Sequence, residues 1–479
     1  MISSVRILRD IYSPKIIFVS LLLSCLIVLM GNYVLYGVAV IFIGILWLFL
    51  GEQLLLVLII ISLFTLLGET DTSLRTIVHL VDFSLLGYLF LRRFALKFYS
   101  YPPVPKSVLY FISLYYFSMI MATVMSDYPI VGLGLIVRQT IFFIITYLFY
   151  ALIKNENDIK TYFVAFVISA CVLAASSIFT FMSDSSGLFN LTTGSRERIV
   201  GIISNPNNIT NFYMVSFPLV LSILLLKRNT LSNVIGLLLI LYLSFALFIT
   251  LSRSAILGVI AGTVVMLYIL RRKYFYFIIV SLIVLVLMFI TYEPLGNLAS
   301  ILFRVERGTT GRDYLWAISL DIIKDHPLFG IGPGAYKYEM FKYFPVMLES
   351  WMGGLFVDLY ETTGGANLSH NFFLFLFSDL GIPGLLTSLA LPIVFFKIGT
   401  KTLKKYKLGK KDTYYLIVAL FAVGTAMFVR GFVESIGLLY YGAITTDLPF
   451  WLVFISLIYY NTHEPDHLTN KQKENALLM

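Results

Sequence analysis

The chain has 479 residues, of which 59% are hydrophobic and only 13% are charged, and its mean hydropathy is +0.89. This composition excludes a soluble globular protein and predicts a polytopic membrane protein. The net charge of +9 does not indicate a nucleic-acid partner, because the basic residues lie at the ends of apolar runs. Cys25 and Cys171 lie inside apolar runs, so neither a disulfide framework nor a thiolate metal site is predicted, and no cofactor is expected.

Fourteen apolar runs are long enough to cross a bilayer, since a helix needs about 20 residues to span roughly 30 Å of hydrocarbon. The fold class is therefore predicted to be an all-α polytopic membrane protein with about 14 transmembrane helices. The runs lie near residues 16–31, 33–50, 53–68, 77–91, 107–125, 132–153, 161–182, 209–226, 230–249, 254–270, 274–292, 371–396, 413–430 and 438–461.

The predicted chain has three parts that form one functional domain. Residues 1–292 hold transmembrane helices 1–11, and residues 293–369 form one large extracytoplasmic loop that contains helices. Residues 370–479 hold helices 12–14, a basic cytoplasmic loop at 397–411 and a cytoplasmic tail. With both termini inside, about two thirds of the lysines and arginines fall on the cytoplasmic side, as the positive-inside rule requires.

Two arginines on the predicted outer side are candidates for anion binding. Arg253 occupies the tight turn between the ninth and tenth spans, and its planar, permanently charged group suits bidentate contact with a phosphate. Arg312 follows Thr310 at the predicted start of an amphipathic helix, where unpaired N–H groups favour anions. The alternative for both arginines is contact with lipid headgroups.

The helix that begins near Arg312 is predicted from spacing. Thr310-Gly-Arg-Asp313 fits a capping box loosely, with Asp where Glu or Gln is more usual. Apolar residues then follow at helical spacing, and Pro327 bounds the run. The residues of the apolar face are Leu315, Ile318, Ile322 and Ile323.

His370 is the candidate general base. Ser369 is predicted to cap the twelfth span, which would leave His370 in the first helical turn, where the positive end of the helix dipole favours a neutral imidazole. A neutral imidazole can accept a proton near neutral pH. Two alternatives stay open: a packed histidine without a catalytic role, or a carboxylate of the long loop as base. The carboxylates are Glu306, Glu349, Asp358 and Glu361.

Two further polar features favour structural roles. Asp82 in the fourth span and Arg138 in the sixth are predicted to pair, because a pair offsets the cost of burying both charges. The glycine-rich segment from Gly330 to Gly334 is predicted to be a turn, since no strand precedes it and Pro333 removes an N–H donor that a phosphate-binding loop would use.

Several short motifs follow one another along the chain, and all lie on one predicted side of the membrane. They are Arg198 to Asn208 with Asn205-Pro206-Asn207, Leu251-Ser252-Arg253-Ser254, Gly311-Arg312 with Trp316, His326 to Gly332, Ser369-His370-Asn371, and Gly381-Ile382-Pro383-Gly384. Together they resemble the O-antigen ligase and polymerase superfamily of bacterial envelope glycosyltransferases. The resemblance covers roughly residues 196 to 390, and the first half of the chain adds only hydropathy.

The resemblance implies a metal-independent, inverting glycosyltransferase in the bacterial plasma (inner) membrane. Such an enzyme polymerises undecaprenyl-pyrophosphate-linked oligosaccharide repeats, of the O-antigen or capsule type, at the outer face of the membrane. Its implied partners are that glycan donor, a lipid-linked glycan acceptor, membrane lipids and a chain-length regulator. A ligase that transfers the finished glycan to lipid A-core is the first alternative, and a transporter or flippase of lipid-linked glycans is the second.

The resemblance also assigns roles to residues. His370 would deprotonate or orient the acceptor hydroxyl, while Arg253 and Arg312 would stabilise the pyrophosphate leaving group. These three residues are the predicted catalytic set. The predicted ligands of the pyrophosphate or glycan are Arg198, Asn205, Arg253, Arg312 and Asn371.

Overall fold

The computed structural model describes residues 102–183, 201, 205–226, 229–293, 312–343 and 369–464, together with positions 57, 59–61, 86, 87, 89 and 90. All regular secondary structure in these ranges is helical, which confirms the predicted all-α class of membrane protein. Apart from those single positions, the four predicted spans before residue 92 lie outside the described residues, as does much of the predicted long loop.

The helices with described bounds are numbered in chain order. A 3-10 turn, Met340–Tyr343, follows α9. The helices are α1 (Lys106–Met125), α2 (Pro129–Ala151), α3 (Glu156–Ser183), α4 (Pro206–Leu226), α5 (Thr230–Ile249), α6 (Arg253–Leu270), α7 (Arg272–Thr291), α8 (Arg312–Asp325), α9 (Tyr336–Glu339), α10 (Phe372–Tyr406), α11 (Lys411–Gly431) and α12 (Ile444–Thr462).

Ten of these helices coincide with ten predicted spans, namely α1 to α7 and α10 to α12. In the described part of the chain, nine helices are long and apolar enough to cross a membrane, α1 to α7 with α10 and α11. The last predicted span was placed too early: α12 begins at Ile444 rather than near residue 438. The reason is that the stretch between α11 and α12 forms a loop with polar contacts.

The chain divides into two compact units, and Arg253, Arg312 and His370 all belong to the second. In the first unit, Phe166 stacks on Phe212 with ring centroids 5.3 Å apart. The first unit comprises Met1–Pro102, Tyr147–Ser216 and Leu238–Thr250, and the second comprises Pro103–Thr146, Phe217–Leu237 and Leu251–Met479.

In the second unit, α6 packs closely along α11. A side chain at Gly262 would meet the carbonyl oxygen of Ala422 at 2.9 Å and the Cβ of Ala426 at 3.2 Å, so only glycine permits this approach. Small residues at such contacts let two membrane helices pack with their backbones close together. The packing brings the N-terminus of α6, where Arg253 lies, to the same end of the unit as the C-terminus of α11.

The apolar face of helix α8 is buried, as the spacing predicts. Leu315, Ile318 and Ile322 are buried with Tyr336 and Met340 of the following segment in one apolar cluster. The helix ends at Asp325, just before the predicted boundary at Pro327. The predicted amphipathic helix with this buried face is confirmed, while Thr310 of its predicted capping box lies outside the described residues.

Helix α10 is broken at Gly381, whose φ of +67° lies in the left-handed region. Pro383 follows, and because proline has no N–H it cannot bond the carbonyl oxygen of Asp379 four residues earlier. The N–H of Gly332 donates to that oxygen instead, over 2.9 Å. A break inside a membrane helix is tolerated when other groups bond the freed backbone in this way.

The glycine-rich segment after α8 supplies those groups, and the prediction of a turn there is confirmed. The N–H of Ile331 donates to the carbonyl oxygen of Ser378 over 3.1 Å, and the N–H of Ile382 donates to that of Pro327 over 2.9 Å. Two motifs that are distant in sequence therefore dock on each other through main-chain hydrogen bonds, which fixes α8 against α10.

Gly381→Ala should destabilise the protein strongly. The positive φ alone costs an alanine about 1–3 kcal/mol, and the new Cβ would also overlap the carbonyl oxygen of Leu328. Gly134→Ala in α2 is the matched control, because a Cβ there meets nothing within 4 Å. The thermal unfolding midpoint in detergent should fall for Gly381→Ala only, and equal midpoints for both variants would contradict this account of the break.

Candidate active site

Side chains from four segments meet at one end of the second unit, around the carboxylate of Glu434. Glu434 lies in the loop after α11 and is fully buried. Its Oε1 lies 2.9 Å from His370 Nδ1, and its Oε2 lies 3.3 Å from a terminal nitrogen of Arg312. Oε1 also accepts a hydrogen bond from the N–H of Ser435 over 3.1 Å. One side chain thus joins the predicted base to a predicted anion ligand.

Two more arginines act on this group. Arg430, in the last turn of α11, is 1% exposed and lies within electrostatic range of Glu434 and Arg312. Arg253, partly buried at the start of α6, lies within electrostatic range of Arg312. The charges of Arg312 and Arg430 therefore act on the carboxylate of Glu434, and Arg253 adds a third positive charge beside Arg312, so the site keeps an excess of positive charge that favours an anionic ligand.

The charge state of Glu434 follows from these neighbours. Burial alone would raise the pKa of this carboxyl group. The charge that His370 carries when it is protonated, the hydrogen bond with His370 and the charges of Arg430 and Arg312 together outweigh burial and lower the pKa of Glu434 to about 2. Glu434 is therefore a carboxylate at neutral pH.

This charge state fixes the proton on His370. A carboxylate can only accept hydrogen bonds, so the Nδ1 atom that faces Glu434 must carry the hydrogen. Whenever the imidazole is neutral, its Nε2 atom therefore keeps a lone pair. His370 is 32% exposed at its side chain, so it is neither sealed in the core nor a free surface residue. The arrangement matches a base oriented by a carboxylate.

The backbone also holds His370 in place. Its φ of +51° is unusual for a residue other than glycine, and strain of this kind occurs most often at functional sites. The indole N–H of Trp316 points to the carbonyl oxygen of His370 at a nitrogen–oxygen distance of 3.4 Å. His370 is thus oriented from both its side chain and its main chain.

The prediction that Ser369 caps the helix is wrong. Asn371 is the N-cap, because its Oδ1 accepts hydrogen bonds from the N–H groups of Phe373 and Leu374. His370 therefore lies before α10 rather than in its first turn. Ser369 instead donates to the carbonyl oxygen of Asn371 over 3.0 Å. The carboxylate of Glu434, rather than a position within the helix, governs the imidazole.

Asn371, a predicted ligand, has structural contacts throughout its amide. Its Oδ1 caps α10, and its Nδ2 donates to the carbonyl oxygen of Phe432 over 2.9 Å. Its main-chain N–H donates to the Ser435 hydroxyl over 2.9 Å. These contacts tie the start of α10 to the loop that carries Glu434, and so set the distance between Glu434 and His370.

The other predicted polar residues either have different contacts or lie outside the described residues. Asn205 belongs to the first unit, where its side chain accepts from the N–H of Asn207 at the start of α4. Arg138 donates to the carbonyl oxygens of Tyr441 over 2.6 Å and Tyr440 over 3.1 Å. Several predicted residues lie outside the described part of the chain: Arg198, Asp82, Glu306, Glu349, Asp358 and Glu361.

Sequence reasoning missed Glu434 and Arg430. In the sequence, Arg430 contributes only to the count of basic residues on the two sides of the membrane, and no pattern there singles out Glu434. The available signal was their spacing of four residues at the end of an apolar run, which places opposite charges on one side of a helix end. That signal alone does not reveal that His370 and Arg312 reach the same carboxylate.

Comparison with known families identifies the part of the chain that contains most of these residues. Residues 237–389 match the family model described as O-antigen ligase. This segment is a domain of the O-antigen ligase family. The predicted membership in the O-antigen ligase and polymerase superfamily is thereby confirmed, and members of this family are membrane enzymes of glycan assembly. No curated protein matches the chain.

The family match covers part of the site. Arg253, Arg312 and His370 lie within the matched O-antigen ligase segment, whereas Arg430 and Glu434 lie beyond its end. The structure therefore adds to the family domain a carboxylate and an arginine from the following segment of the chain.

Acid should remove the stabilisation that Glu434 provides. The pKa of Glu434 is about 2 in the folded protein, below its ordinary value of 4.5, so the unfolded chain takes up this proton first as the pH falls. Its contribution is complete above pH 4.5 and is lost as the pH falls toward 2. The thermal midpoint of the wild type should therefore approach that of Glu434→Gln between about pH 6 and about pH 3.

The control is Glu464→Gln, which removes an exposed glutamate that pairs with Lys405 over 3.2 Å. A surface pair contributes little to stability, so this variant should differ from the wild type only slightly throughout the titration. If the difference in thermal midpoint between the wild type and Glu434→Gln stays constant or widens in acid, Glu434 is not an ionised, stabilising group.

Proposed function

We propose that the protein is a polymerase that transfers an oligosaccharide from one undecaprenyl-pyrophosphate carrier to a sugar hydroxyl of a second lipid-linked oligosaccharide. The observation that carries this proposal is the shared contact of His370 and Arg312 with Glu434. It places a potential base beside a potential pyrophosphate ligand. Such a site provides what transfer of a glycan from a pyrophosphate requires.

His370 would act on the acceptor. Its Nε2 lone pair accepts the proton of the acceptor hydroxyl while Glu434 holds the Nδ1–H and stabilises the charge that forms on the imidazole ring. The acceptor oxygen attacks the anomeric carbon from the face opposite the leaving group, so the configuration inverts. Glu434 does not contact the substrate in this scheme, and its role is to orient His370.

The arginines would act on the leaving group. As the bond between the anomeric carbon and the phosphate oxygen breaks, negative charge grows on the pyrophosphate, and fixed cations lower the barrier by stabilising that charge. Arg253 and Arg312 are partly accessible and stand at the N-termini of α6 and α8, where helix dipoles add to their charge. We assign the charge stabilisation to these groups rather than to a metal ion.

The location of the proposed reaction follows from the charge pattern of the loops. Both termini are placed in the cytoplasm, and the reaction is placed at the outer face of the plasma membrane. The lipid tails of donor and acceptor would stay in the bilayer, while a chain-length regulator would limit the product. Because α6 and α10 begin at the site, a lipid-linked pyrophosphate can approach it from the membrane side.

A ligase is the second candidate, and the description of the matched family as O-antigen ligase favours it. The same residues would then release the finished glycan onto lipid A-core instead of onto another lipid-linked repeat. The two functions differ in the acceptor and not in the chemistry. The length of the glycan formed from lipid-linked repeats alone therefore separates them.

The decisive assay incubates purified protein with undecaprenyl-pyrophosphate-linked repeats, with and without lipid A-core, and measures glycan length. A polymerase makes longer glycans from repeats alone, a ligase reacts only when lipid A-core is added, and a carrier makes no new bond. His370→Ala, Arg253→Ala and Arg312→Ala should each lower turnover at least about 100-fold, the usual contribution of a base or a charge-stabilising group.

Matched controls keep the charge change away from the site. Arg272→Ala removes an exposed arginine from the start of α7, and Lys324→Ala removes an exposed cation near the end of α8. Both should retain nearly full turnover. Wild-type turnover in the three site variants would sink the assigned roles, and absence of any product with either acceptor would sink the proposed function.

A further inference from the structure

A second buried carboxylate, Asp379, lies within α10 and joins three segments of the chain. The side chain is fully buried. Its Oδ2 accepts one hydrogen bond from the main-chain N–H of Gly334 over 2.9 Å and another from the hydroxyl of Tyr441 over 2.8 Å. Gly334 belongs to the segment after α8, and Tyr441 to the loop between α11 and α12.

Each of these segments carries one residue of the candidate active site. Helix α10 begins just after His370, α8 begins at Arg312, and the loop with Tyr441 also contains Glu434. Asp379 thus links the supports of the imidazole, the guanidinium and the carboxylate that meet in the site.

The surrounding contacts keep the link rigid. The main-chain oxygen of Asp379 accepts from the N–H of Gly332, so the segment after α8 is held at two points. The carbonyl oxygen of Tyr441 accepts from Arg138, and its ring packs against Phe375 with centroids 5.2 Å apart. Tyr441 also has a φ of +48°, a conformation that persists only where the surroundings enforce it.

The two oxygens of the Asp379 carboxylate differ in their contacts. The Oδ1 atom is buried and finds no partner among the described residues, and a buried polar atom without a partner costs free energy. An apolar residue of similar size would avoid that cost but would leave the N–H of Gly334 and the hydroxyl of Tyr441 without this acceptor. What the carboxylate provides is a single oxygen that two donors from different segments can share.

We propose that Asp379 and Tyr441 are positioning residues, which set the distance between Glu434 and His370 without touching the substrate. The inference rests on the proposed glycosyl transfer. Removing the Tyr441 hydroxyl removes one of the ties between the loop of Glu434 and α10 without removing any side chain of the site, and the ties at Asn371 remain. The orientation of His370 is then lost, although the arginines still bind the pyrophosphate.

The first test compares Tyr441→Phe with Tyr440→Phe in the lipid-linked repeat assay. Tyr440 is the matched control, because its hydroxyl makes no hydrogen bond with the part of the chain that the structure describes. Tyr441→Phe should lower kcat about tenfold and change KM for the lipid-linked donor less than about threefold, whereas Tyr440→Phe should change neither. An unchanged kcat in Tyr441→Phe overturns the proposal.

The second test separates positioning from a general loss of structure. Glu434→Asp shortens the side chain by one methylene group and so breaks its contact with His370. In that background Tyr441→Phe should lower kcat less than about twofold, because the contact that it would disturb is already gone. If Tyr441→Phe costs the same factor in both backgrounds, it acts elsewhere, and the proposal fails.

Asp379→Leu provides an independent variant in case the tyrosine change is absorbed by repacking. Leucine keeps approximately the size of the side chain but removes the oxygen that accepts from Gly334 and Tyr441, so the loss of kcat should be at least that of Tyr441→Phe, and the double variant should lose little more than Asp379→Leu. If the losses of kcat in the two single variants multiply in the double variant, the two residues act independently and the proposal is overturned. Activity of the wild type with inactivity of His370→Ala shows that the proposed function holds, whatever the outcome at Asp379 and Tyr441.

Discussion

The ion pair and hydrogen bond at Glu434 are the contacts on which the proposed chemistry depends. Polar groups from α8, α11, the segment before α10 and the loop after α11 converge where one buried carboxylate accepts from His370 and faces two arginines. Without it, the positive charge of Arg312 would face those of Arg253 and Arg430 with no carboxylate to offset them. Removing one partner of a buried pair leaves an uncompensated charge, which costs far more than the pair contributes.

The membrane fold serves this contact through breaks in regular helices. Gly381 and Pro383 interrupt α10, and the segment after α8 bonds the freed backbone groups. The asparagine cap at Asn371 and the left-handed backbone at His370 then turn the imidazole toward Glu434. Irregular backbone at this depth is tolerated where protein covers it, and here it is concentrated around the residues proposed to act.

Periodicity and hydropathy were enough to predict the helices that the structure describes. The apolar face of α8 and ten of the spans follow directly from the spacing of apolar residues, because burial of one face and the thickness of the bilayer dictate them. The order of motifs was enough to predict the family domain and to select Arg253, Arg312 and His370. The helices and the family domain are confirmed because they depend on local pattern, whereas the catalytic roles of the three residues stay predictions.

The tertiary contacts of the site had no such local signal. Glu434 lies 64 residues from His370 and 122 from Arg312 along the chain, so no periodicity links them. The cap at Asn371 was misplaced to Ser369, since both residue types favour that position and only the geometry decides between them. Arg138 donates to the main-chain oxygens of Tyr440 and Tyr441, and its predicted partner Asp82 lies outside the described residues, so the predicted pair stays a prediction.

The most direct measurement of the central contact is a double-mutant cycle for turnover with Glu434→Asp and His370→Ala. Glu434→Asp should cost about tenfold or more in the wild type and less than about twofold once the imidazole is absent, whereas equal losses in both backgrounds would contradict a carboxylate that works through His370.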